Sequence, residues 1–92
     1  MSYICYTVNS WKYDNFLNRK FDETFDCWWE HVEGDAYDKA VKCYETLLTE
    51  SKVFKDKMLD MNVVMKKKTH KDFRHSIAFP DKEETLFDTR SI

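Results

Sequence analysis

A single glycine, Gly34, and a single proline, Pro80, punctuate all 92 residues. Turns that need a left-handed backbone or a fixed φ are therefore scarce, and long uninterrupted elements are favoured. Gly-lined ligand loops are scarce for the same reason. A chain of this length makes one domain and buries roughly two-thirds of its unfolded surface. Three Trp, five Tyr and seven Phe supply the large side chains such a small core needs. With 35% charged and 42% hydrophobic residues, the composition is that of a soluble globular chain.

Residues 3–8, Tyr-Ile-Cys-Tyr-Thr-Val, are β-branched and aromatic and predict a strand. Asn9 and Ser10 offer helix-capping chemistry. From Tyr13 the apolar positions Phe16, Leu17, Phe21, Phe25, Trp28, Trp29 and Val32 recur in steps of three and four. That spacing predicts an amphipathic helix over 11–33, closed by Gly34. Asp35 then caps a second helix reaching about residue 60, marked by Tyr37, Ala40, Val41, Tyr44, Leu47 and Leu48. Residues 62–65 and 73–79 predict a C-terminal β-hairpin around a polar loop at 66–72. The expected fold is a small α+β domain over 1–80, with an N-terminal strand, two amphipathic helices, a C-terminal hairpin and a polar tail at 81–92. An all-α bundle is the alternative.

Charge is segregated along the chain. Residues 22–50 carry nine carboxylates against Lys39 and Lys42, whereas 51–75 carry eight Lys or Arg against three Asp. Asp35 with Lys39 and Asp38 with Lys42 are favourable helical pairs and need no partner. Asp22, Asp26, Glu30 and Glu33 would share one helical arc of roughly 80°, with Trp29 at its border. A solvated helix face is the plain explanation. As a contact surface, these residues with Trp29 would meet a larger protein bearing a basic surface, including one that normally holds nucleic acid.

The basic cluster Lys66, Lys67, Lys68, Lys71 and Arg74 encloses Phe73, the minimal pattern for phosphate or single-stranded nucleic acid. No zinc-finger spacing, helix-turn-helix or RNP-type aromatic motif accompanies it. Opposite patches also suit a homodimer.

Chemistry finds little footing. Cys27, His31, His70 and His75 are zinc-type ligands at no standard spacing. A Cys27–His31 dyad lacks Gly-rich turns for an oxyanion site. Glu30 and Glu33 on an exposed helix would lack the cleft that acid–base catalysis needs. The expectation is a non-enzyme without catalytic residues, metal or cofactor. Cys5, Cys27 and Cys43 form an odd set behind no recognisable signal segment, which suggests a reducing, cytoplasmic setting. No apolar run reaches membrane-spanning length. In composition the chain resembles the small, aromatic-rich, glycine-poor regulators that large bacterial viruses make early in infection. That likeness implies a protein that inhibits or modulates a host target.

Overall fold

The computed structural model describes residues 2–54, 59–71 and 80–90. Its first element, β1 (Tyr3–Asp14), begins where β-branched and aromatic residues cluster and runs well beyond residue 8. It is followed, among the described residues, by β2 (Arg19–Trp29), one helix α1 (Ala36–Phe54), β3 (Leu59–His70) and β4 (Lys82–Asp88). The strands form one antiparallel sheet in the order β2-β1-β3-β4.

The two-helix expectation is overturned, and so is the all-α alternative. Residues 11–33, expected as a helix, are the end of β1, a turn, β2 and the link to α1. Steps of three and four in the apolar residues had suggested one helix. Two of those residues, Phe16 and Leu17, instead sit exposed at the tip of a β-hairpin. The turn is built without glycine. Asp14 Oδ1 accepts from the Phe16 and Leu17 backbone N–H groups at 2.9 and 3.0 Å, and Asn18 takes the left-handed conformation at φ 55°. Asn tolerates that region because its short polar side chain bonds locally, and here Asn18 Oδ1 accepts from Tyr13 Oη at 3.2 Å.

A second irregularity lies in β2. Ser10 pairs with Thr24 but Lys12 pairs with Phe21, so β2 carries one extra residue. Asp22, at φ 49°, sits in this bulge. The bulge reverses the alternation of β2. Phe25, Cys27 and Trp29 share one face, and beyond the bulge Lys20 joins them while Phe21 turns toward the helix and meets Phe54.

Helix α1 covers one face only. Ala36, Ala40 and Tyr44 pack on Tyr6 and Val8 of β1 and on Met61, Val63 and Met65 of β3. Small alanines at the contact let the helix sit close to the sheet. Val8, Val63 and Met65 are fully buried, each contributing about 1.5–3 kcal/mol from burial. At the helix start Lys39 bridges Asp35 at 3.7 Å and Glu33 at 3.2 Å.

The polar loop expected at 66–72 is also corrected. Lys66, Lys67 and Lys68 lie within β3, which is hydrogen-bonded on both sides. Residues 82–88 form the fourth strand, and its Glu83 and Glu84 stand directly opposite Lys68 and Lys67. Opposite charges across neighbouring strands make a lysine run tolerable in a sheet. The strand expected at 73–79 lies outside the described residues.

Candidate ligand-binding face

Strand geometry disperses the acidic row. Asp26 points to the helix side, near Cys43, whose thiol lies 4.0 Å from its carboxylate. Asp22 sits in the bulge and bridges Lys12 at 3.5 Å, while Lys12 also meets Glu50 at 3.8 Å. Trp29 lies on the opposite face, with its ring centroid 5.2 Å from that of His70 and 5.7 Å from that of His31. Glu30 and Glu33 fall in the link before α1, where Glu33 is held by Lys39. Trp29 is therefore parted by the sheet from Asp22 and Asp26, which lie on the helix side. A helix would have set Trp29 beside the carboxylates; alternation at period two sets it on the face opposite Asp26.

The basic cluster is divided as well, but usefully. Lys66 and Lys68 project from the face that α1 leaves uncovered, and Lys67 projects from the other. Lys71 follows β3, where its backbone N–H donates to Asp81 Oδ2 at 2.5 Å. Arg74 lies outside the described residues.

On that face, opposite α1, β1 contributes Thr7, Asn9 and Trp11, β2 contributes Phe25, and β3 contributes Val64. Together with Lys20, Glu23, Lys66, Lys68 and Arg90 they line a depression of about 340 Å³. Cations and rings are interleaved there. Lys20 Nζ lies 4.8 Å from the Trp11 ring centroid, Arg90 Cζ lies 5.0 Å from the same ring, and Lys68 Nζ lies 5.5 Å from the Phe25 ring. Carboxylates hold several of these cations. Glu83 Oε1 is 3.5 Å from Lys66 Nζ and 3.8 Å from Lys68 Nζ, and Asp88 pairs with Arg90 at 2.8 Å. The hydrogen bonds from Arg90 hold the Asp88 carboxyl below its ordinary pKa.

Beside the depression lies a thiol pair. Cys5 is buried with its Sγ 3.9 Å from His70 Nε2. Its hydrogen bond with Cys27 pushes the Cys5 thiol up and holds that of Cys27 below the ordinary thiol value, with Lys68 also favouring the Cys27 thiolate. Among the described residues no group of three or more His, Cys, Asp or Glu is arranged to hold a metal ion. His75, one of the four zinc-type residues, lies outside them.

Sequence reasoning missed Trp11, Lys20, Phe25 and Arg90. The pattern Phe25-x-Cys27-x-Trp29 carried a period-two signal, and so did Cys5-x-Thr7 in β1. Nothing local marked Lys20, which the bulge delivers, or Arg90, which arrives from beyond β4. Comparison with known protein families, curated proteins and solved structures returns no match. Among the described residues no helix is long and apolar enough to cross a membrane.

Proposed function

We propose that the chain is a non-enzymatic binding domain that takes single-stranded nucleic acid on the face of its sheet opposite α1. The observation that carries this reading is the interleaving of Trp11 and Phe25 with Lys20, Lys66, Lys68 and Arg90 around one depression. Aromatic rings accept splayed bases by stacking, and neighbouring cations receive the phosphates. A duplex hides its base faces and would leave the rings unused. Against the formal net charge of −2, the four cations here outnumber the carboxylates Glu23, Glu83 and Asp88 by one. A contact with a basic protein surface through Asp26, Trp29, Glu30 and Glu33 finds less support, because Trp29 lies on the face opposite Asp26 and Glu33 is held by Lys39.

The test is fluorescence anisotropy of a labelled single strand titrated with protein across a salt series. Four cations at about 0.7 per neutralised phosphate give an expected slope of log K on log salt of about −3. Duplex of equal length should bind more weakly. Absence of single-strand binding at low salt would remove the proposal.

A further inference from the structure

The depression is lined by one ring that a ligand reaches directly and one that it does not. Phe25 is 51% exposed, whereas Trp11 is 8% exposed. Trp11 nevertheless stands on the face that the helix leaves open. Two cations lie over it, Lys20 and Arg90. Neither belongs to the strands flanking Trp11 in simple register. Lys20 is delivered by the bulge in β2, and Arg90 by the turn after β4. Arg90 is held in place by Asp88 through Nε at 3.0 Å, Nη2 at 2.8 Å and its own backbone N–H at 2.8 Å.

We infer that Trp11 is a second, covered base-stacking position, opened when nucleic-acid phosphates draw Lys20 and Arg90 off its ring. This rests on the binding reading above and specifies how the site opens. The two cations are the groups that phosphates would attract, so the ligand itself supplies what uncovers the ring. A cation–π contact at such a surface is weaker than stacking of a base on an indole. Once phosphates receive the cations, the exchange runs toward the base. Asp88 opposes the exchange by retaining Arg90 through a bidentate, charge-assisted pair. Asp88 therefore acts as a positioning residue that sets how readily the second position opens, and Phe25 remains the position occupied first.

The test uses full-length protein carrying Trp28→Phe and Trp29→Phe, so that Trp11 is the sole indole. Labelled oligothymidylate reports binding by anisotropy while Trp11 emission reports stacking. Saturation should quench Trp11 emission, and an abasic strand of equal length should bind without that quenching. Asp88→Asn in the same background should bind about threefold tighter and reach full quenching at lower strand concentration. If the double replacement unfolds the domain, the wild type minus Trp11→Phe isolates the same emission component. No anisotropy change removes the binding reading and this inference with it. Binding with Trp11 emission unmoved, or with equal quenching by the abasic strand, overturns the covered position alone.

Discussion

Removing a negative charge from Glu83 should strengthen ligand binding, although Glu83 makes no contact that an anion would need. Its Oε1 lies 3.5 Å from Lys66 Nζ and 3.8 Å from Lys68 Nζ, so one carboxylate occupies two of the four cations of the face. Phosphate must compete with it. The Lys66 pair is partly exposed and the Lys68 pair is half-buried; at about 0.5 kcal/mol or more each they give about 1 kcal/mol or more, at least about fivefold in Kd. Glu83→Gln keeps the side-chain shape while removing the competitor. The assay is single-strand anisotropy at matched salt, with a thermal melt as control. The melt should fall modestly, because Lys66 is partly exposed but Lys68 is buried and loses one of its partners. Weaker or unchanged binding by a folded Glu83→Gln protein would refute the assignment of Lys66 and Lys68 to phosphate.

Three further outcomes are expected. Phe25→Ala should weaken single-strand binding by about 1–3 kcal/mol with the melting temperature nearly unchanged, because the ring is half-exposed; equilibrium titration and a melt check both. Asn18→Val should destabilise the domain by about 1–2 kcal/mol, because a β-branched residue resists φ 55°, while Asn18→Gly should cost far less; urea unfolding measures the difference. Cys27 should alkylate before Cys5 and Cys43, since its thiol is held down while theirs are pushed up; timed iodoacetamide labelling with peptide mass mapping reads the order.

The helix was legible because its contacts are local in period. Ala40, Tyr44, Leu47 and Leu48 repeat at helical spacing, and Asp35 marks the start. The beginning of β1 was legible from its β-branched and aromatic run. β2 was not, for two physical reasons. The bulge at Asp22 breaks its alternation, so Phe21 and Phe25 fall on opposite faces at a spacing a helix would also use. The turn before it relies on Asp14 and Asn18 rather than glycine, so the punctuation that a hairpin usually shows is missing. The lysine run resembled a loop because its compensating partners, Glu83 and Glu84, are remote in sequence and adjacent only in the sheet. The candidate site followed the same rule. Lys66 and Lys68 were visible as a cluster, whereas Trp11, Lys20 and Arg90 meet only through strand order and bulge.

The strand order also bears on how the chain reaches this state. β1 pairs along one edge with β2, its immediate successor, and along the other with β3, matching Tyr3 to His70 and Asp14 to Leu59. The first edge closes through a four-residue turn, within microseconds for hairpins generally. The second must wait until the helix has been made and the chain has looped back, a closure whose entropy cost comes before any contact repays it. During synthesis from the ribosome, a β1–β2 hairpin would therefore stand for a time with one edge of β1 unpaired and Tyr6 and Val8 uncovered. That species carries the hazard of edge-to-edge association. The slow event in folding should be docking of β3, and core substitutions at Val63 or Met65 should retard refolding more than comparable changes in β2.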